Sequence, residues 1–359
     1  MAIVKFGDIV RDVKINVDRA NNPYEHYVAG DHMDSEDLTI HRYGSFETDD
    51  VGPAFTRIFK PGQILYGSRR TYLKKVAVAD FEGICANTTF VLESKDEALF
   101  DNRLLPFIML SDAFTRWSIA HSKGSTNPYV LFSDLADYEF DLPPIAEQKV
   151  LADKLWAAYR LKESYKKLLA ATEEMVKSQF IEMFGTLDEP KVEVKKLIDV
   201  VLSSGQYGSN TSATDYQEGK PRYIRITDIN DDGSLNDDIK TAEVIEDKYK
   251  LIPGDIVFAR TGATVGKTYM HETGNAIYAG YLIKYQMNES RMKPAFMKAL
   301  THSKTYYNWV ANSQKIGAQP NISADQYDKM PVLVPQIEKQ EEFLTIYQQA
   351  DKSKYYKLN

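Results

Sequence analysis

Apolar residues recur at three- and four-residue steps over an unusually long stretch of this chain. Between Pro144 and Gly185, the residues Leu151, Leu155, Ala158, Tyr165, Leu169, Val176 and Met183 fall on one helical face, broken by Lys162, Thr172 and Gln179. No glycine or proline interrupts the run, and Pro144 and Gly185 stand where helix ends prefer them. The pattern predicts one helix of about 40 residues, a rod of roughly 60 Å at ~1.5 Å per residue. A helix that long is unstable alone and needs a partner. A second helical stretch, "QIEKQEEFLTIYQQADKSKYYKLN" (336–359), supplies the start of one and stops about halfway along the first. The pair reads either as a helical hairpin core or as a spacer between two domains.

Outside the helices the pattern shortens. "GQILYG", "KKVAVADF" and "NTTFVLE" read as strands, and so do "PRYIRITDI", "GDIVFAR" and "AGYLIKYQM". "DEALFDNRLLPFIMLSDAFTRWSIAHS", with a break before Pro106, and "PAFMKALTHSKTYYNWVANSQ" read as helix. These elements come in two matching sets. An offset of 192 places Pro61 on Pro253, Gly62 on Gly254, Ile64 on Ile256 and Lys75 on Lys267. Without a gap it then places Trp117 on Trp309, Lys123 on Lys315, Pro128 on Pro320, Pro143 on Pro335, Ile145 on Ile337 and Gln148 on Gln340. The chain is therefore one unit written twice. Its expected domains are residues 1–142, a spacer helix over 143–185, residues 186–333, and a second, shorter helix over 334–359. The fold class is mixed α/β (α+β), duplicated, and the duplication favours the spacer reading of the helices.

With 359 residues and 43% hydrophobic residues the chain has material for two or three cored domains. No apolar run approaches the ~20 residues of a membrane helix, and the first residues carry no signal-peptide pattern, so a cytoplasmic protein with no membrane partner is expected. The net charge of −7 argues against a non-specific nucleic-acid binder, though not against one that reads DNA through a few local side chains. Cys85 is the only cysteine, which excludes an intrachain disulfide; in "EGICANTTFVLE" it reads as a buried structural thiol.

Catalytic constellations do not emerge. The six histidines form no H-x-x-x-H pair, and the acidic "DHMDSED" (31–37) reads as a solvated loop, so no metal site is expected. "ARTGATVGKTY" (259–269) resembles a phosphate-binding loop, but three residues rather than four separate Gly262 from Gly266, and strand-like sequence follows where a helix is required. "TNPYV" (126–130) approaches an adenine-methyltransferase motif without its second proline, and no glycine-rich cofactor loop accompanies it.

The "LPPIAEQ" junction (142–148), the long helix ending "MFG", the second "VPQIEKQ" junction (334–340), and "YIRITDI" with "PGDIVFARTGATVGK" together resemble the specificity subunit of type I restriction–modification systems. The resemblance covers essentially the whole chain. It implies two target-recognition domains, each reading one half of a bipartite double-stranded DNA target. It also implies long helices that pair antiparallel, like a coiled coil, space the domains and dock two modification subunits. Those partners carry S-adenosylmethionine and methylate adenine; a restriction subunit, using ATP and Mg, joins for cleavage. The subunit itself is then no enzyme and holds no cofactor. Two departures stand out: the second helix is short, and the first domain has "GSRRTYLKK" in place of the R-T-G-A-T wording.

In this light "ARTGATVGKTY" reads as a turn that brings side chains to DNA, with Arg260, Thr261 and Lys267, and Arg225 of "YIRITDI", as candidate contacts; the alternative for these basic residues, and for those of the first copy, is pairing with carboxylates inside the fold. Arg69, Arg70, Lys74 and Lys75, four basic residues within seven positions and no acid among them, suit a phosphate-facing loop. Gln206, Tyr207 and Asn210 in "SSGQYGSNTSA" suit either a base-reading loop or an ordinary linker. Two other functions stay open at this point: a stand-alone enzyme, either methyltransferase or nucleoside-triphosphatase, and a scaffold that reads no DNA.

Overall fold

The computed structural model describes residues 2–18, 21–313 and 320–355, with side chains through residue 350. Lys315, which the repeat pairs with Lys123, lies outside the described residues. The chain divides into two compact units, Met1–Ser164 and Tyr165–Asn359.

In the first unit, strands Val10–Asp12, Thr89–Ser94, Ile64–Gly67 and Val76–Val78 form an antiparallel sheet in that order. A second sheet runs Gly44–Ser45, His26–Val28, Gly83–Ala86, Phe55–Phe59, with His26–Val28 parallel to Gly83–Ala86. Ala2–Lys5 pairs with Glu139–Leu142, bringing the start of the chain beside the strand that leads into the long helix. The core between sheet and helices is built on Phe6, Tyr66, Phe100, Leu105 and Phe114. Pro106 falls in the first turn of Leu105–Leu110, where its missing N–H removes no helical bond. Asp112–Ala120 starts afresh because the Ser111 hydroxyl caps the Phe114 N–H.

The second unit repeats the plan. Gln206–Tyr207, Leu282–Tyr285, Ile256–Ala259 and Thr268–Met270 occupy the same four places as the first sheet. Arg222–Ile224 lies parallel to Ala276–Tyr278, and Glu193–Lys196 pairs with Pro331–Val334. The strand expected over "PRYIRITDI" stops at Ile224, because the Asp228 carboxylate accepts the Arg225 N–H and folds Ile226–Asp228 into a tight turn. The core gathers Phe180, Phe184, Phe258, Tyr285, Phe296, Tyr306, Tyr327 and Phe343.

The long helix is continuous over Ile145–Phe184. Its packed face keeps Leu155, Val176 and Met183 of the expected stripe and departs from the rest. In the first unit Ala152, Leu155, Trp156 and Tyr159 meet the core, while Leu151 and Ala158 are exposed. In the second unit Val176, Phe180, Met183 and Phe184 pack inward, Leu169 is half-buried, and Tyr165 is exposed. The cores take the aromatic residues, which bury more area than the regularly spaced aliphatic and alanine positions. The helix Ile337–Tyr355 sets Phe343 against Phe180 and Phe184, with ring centroids 5.4 and 5.7 Å apart. Among the described residues no helix is long and apolar enough to cross a membrane.

Candidate nucleic-acid interface

The two most basic or glycine-rich stretches fold to the same turn. In the first unit a 3₁₀ turn, Thr71–Leu73, is flanked by Arg70 and Lys74, both in the left-handed region at φ 48° and 47°. In the second, Gly262–Thr264 forms the turn, and Gly262 and Gly266 have φ 69° and 86°. The 192-residue register aligns Arg70 with Gly262 and Lys74 with Gly266. The glycines of "RTGATVGK" therefore serve left-handed backbone, which the first copy reaches with side chains at a cost in strain. Their N–H groups are occupied inside the fold: Gly262 donates to Pro320 O at 3.0 Å and Gly266 to Ala259 O at 2.9 Å. A phosphate cradle needs those groups free.

A short chain segment lies beside each turn at the same offset, with Arg69 bridged to Tyr129 and Thr261 to Asn321. Arg69 and Arg70 are exposed and have no acidic partner among the described residues. The neighbouring lysines are held. Lys74 bridges Glu36 and Asp112 at 2.9 and 3.0 Å, contacts that raise its pKa. Lys75 bonds the Gly30 carbonyl and lies 3.6 Å from Asp31. Two of the four basic residues in this loop are thus exposed and two are tied into it.

The second unit sorts its candidates similarly. Arg225 forks onto the fully buried Asp228, with Nε 3.0 Å from Oδ1, and reaches Asp238 at 2.9 Å. That is a fold-internal role, and the pairing holds the Asp238 carboxyl below its ordinary range. Lys267 pairs with Asp231 at 2.8 Å and bonds the Ile229 carbonyl. Thr261 donates to Pro320 O at 3.3 Å. Gln206, Tyr207 and Asn210 are exposed. Tyr207 accepts the Ala324 N–H on its hydroxyl at 3.0 Å and carries the Arg260 guanidinium over its ring, 4.9 Å from the centroid. The stack of Arg260 on Tyr207 has no signature in sequence, since 53 residues separate the two.

Two features bear on other chemistries. Cys85 is fully buried, and burial pushes its thiol up to about 12, which makes it inert. Asp37, His41 and Glu163 each bring one ligand atom within 4.8 Å of the others, a set that a cation could use. The Asp37 carboxylate there also accepts the Tyr159 hydroxyl at 2.7 Å and the Thr39 N–H at 3.0 Å.

Comparison with known proteins adds a second line. The sequence profile described as "Type I restriction modification DNA specificity domain" matches residues 24–173 and again residues 189–356. A curated relative, the type I restriction enzyme EcoDI specificity subunit of Escherichia coli, is 29% identical over 148 residues. That match spans 41% of this chain and 32% of the relative. Among solved structures, a type I restriction–modification S subunit from M. genitalium superposes with a TM-score of 0.62 at 14% identity, covering 99% of this chain and 91% of that one. A chain from a study of assembly and conformational transition of the type I R-M system gives 0.55 at 18%, with the same coverage. At those identities the structural likeness speaks for the fold.

Proposed function

The chain belongs to the type I restriction–modification DNA-specificity family, and from that premise we propose that it directs a restriction–modification complex to one bipartite sequence in double-stranded DNA. Each recognition unit reads one half of the target. The long helix Ile145–Phe184 sets the gap between the halves and, with the helix Ile337–Tyr355, docks two modification subunits. A restriction subunit completes the complex. S-adenosylmethionine, and ATP with Mg for cleavage, belong to those partners, and this chain performs no catalysis.

The observation that carries this reading is duplication with divergence at one place. The same strand order and the same left-handed turn occur twice, yet the turn carries the exposed Arg69 and Arg70 in one unit and Thr261 and Gly262, after Arg260, in the other. A repeated frame with different side chains at matching positions suits two different half-sites, because bases are read by particular donors and acceptors. The net charge of −7 fits a chain that leaves most phosphate neutralisation to partners.

Reconstitution tests it. The chain is combined with the modification subunits encoded beside it, and methylation of a randomised DNA library is sequenced. One split motif, absent when the chain is omitted, is expected; methylation independent of the chain contradicts the reading. Equilibrium dialysis of the chain alone against S-adenosylmethionine and ATP should find neither bound, and tight binding of either favours an enzyme instead.

A further inference from the structure

We infer that Arg260, stacked on Tyr207, reads a guanine in the half-site of the second recognition unit, and that Tyr207 is the residue that positions it. This deepens the DNA-specificity reading above and rests on it.

Other basic residues of the second unit have partners inside the fold. Arg225 holds Asp228 and Asp238, Lys267 holds Asp231, Lys240 holds Asp215, and Lys284 lies 3.7 Å from Asp255. Arg260 differs. Among the described residues no carboxylate or carbonyl accepts a hydrogen bond from it, and its Nε is buried without a partner. The shielded Nε carries a cost within the fold, while the two Nη groups are open to solvent and free to donate to an external acceptor. The Arg260 guanidinium lies over the ring of Tyr207, with the guanidinium carbon 4.9 Å from the ring centroid.

That ring is fixed from several sides. The Tyr207 hydroxyl is bonded by the Ala324 N–H at 3.0 Å, and its backbone pairs with Ile283. At the next residue, Gly208, a Cβ would come within 2.3 Å of the Ala279 carbonyl oxygen, so the two backbones pass in direct contact. A flat cation on a fixed aromatic face has its plane chosen in advance. Phosphate oxygens accept from many directions and do not need that. Guanine O6 and N7 take two N–H groups lying in one plane, which an oriented arginine fork matches and a lysine does not. Orientation before binding also reduces the side-chain entropy lost on docking. Gln206 and Asn210, exposed on the same loop, leave its rim polar. In the first unit the position aligned with Arg260 is Ser68, whose hydroxyl is spent on the Thr88 carbonyl at 2.6 Å. The two half-sites are then read differently at this place.

The test uses the assembled methylating complex and the sequenced library, comparing wild type with Arg260→Lys, Tyr207→Leu and Tyr207→Phe. Arg260→Lys keeps the charge and removes the fork. It should make one guanine position in one half-site degenerate, with discrimination falling roughly 5- to 150-fold, and leave the other half-site unchanged. Tyr207→Leu should relax the same position while Arg260 is still present, which keeps the test open if Arg260→Lys is inactive. Tyr207→Phe, which retains the ring and the strand pairing but loses the Ala324 bond, should relax the guanine position less than Tyr207→Leu does. A wild-type motif that survives both Arg260→Lys and Tyr207→Leu, or a loss spread evenly over every position, overturns this inference alone. A wild-type complex with no sequence preference overturns the parent reading with it.

Discussion

Gln148 and Gln340 sit 192 residues apart and make the same three hydrogen bonds. Gln148 donates to the Leu99 and Pro143 carbonyls and accepts the Asp101 N–H, while Gln340 donates to the Arg291 and Pro335 carbonyls and accepts the Lys293 N–H. Every partner of the second set lies 192 positions beyond its counterpart in the first. Both side chains are shielded, at 1% and 0% exposure. Each glutamine ties the start of its helix to a loop of its own unit, which is why the P-x-I-x-x-Q junction recurs. Either Gln148→Ala or Gln340→Ala removes this partner from three backbone groups, in each case through one buried bond and two part-buried ones. Each should cost about 1–3 kcal/mol and lower the thermal midpoint of the unit that carries it. Equal and negligible shifts in calorimetry would contradict this role.

Gly266 tests what the "GATVGK" stretch does. A Cβ there would meet the Val310 side chain at 2.7 Å, on backbone at φ 86°. Gly266→Ala should therefore destabilise the second unit by about 2 kcal/mol. A denaturant titration measures this. An unchanged midpoint would argue against the left-handed turn and for a loop that keeps glycine for a ligand.

Arg225→Ala separates a structural arginine from a reading one. It strands the Asp228 carboxylate, which is fully buried, and should cost about 3 kcal/mol. The motif methylated by the surviving complex should stay the same. A changed motif would place Arg225 on the DNA.

The exposed arginines of the first unit predict a salt effect. Removing both Arg69 and Arg70 should reduce the slope of log affinity against log salt by nearly two, at ~0.9 per phosphate contact. Lys74→Ala should leave the slope unchanged, because Lys74 is held between Glu36 and Asp112. Fluorescence anisotropy of the assembled complex on labelled DNA over a salt series reads both.

Much of the architecture was legible in the sequence because it rests on local pattern and repetition. The helix Ile145–Phe184 follows from the proline- and glycine-free run, and the doubled sheet from the 192-residue register. The packed face of that helix was legible only in part, through Leu155, Val176 and Met183. Several apolar positions recur along it, and the domain cores chose Trp156, Tyr159, Phe180 and Phe184, a tertiary preference for large rings over regular spacing. The candidate site divides the same way. Sequence could nominate Arg69, Arg70, Lys74, Lys75, Arg225, Arg260 and Lys267 by charge. It could not show which of them meet carboxylates distant in the chain, as Lys74 meets Asp112. The Tyr207–Arg260 stack is invisible for the same reason.

The spacing of the two half-sites tests the central claim most directly. Deleting Ala171–Glu174 removes about one helical turn, ~6 Å of rise, from an exposed part of the long helix and keeps its packed faces nearly in phase. Methylated adenines are then mapped genome-wide in cells carrying the wild-type or shortened chain with its partners. If the chain specifies a bipartite target across this helix, both half-sites persist and the gap between them shortens by about one or two base pairs, at ~3.4 Å each. An active variant that methylates the original motif with the original gap contradicts the account.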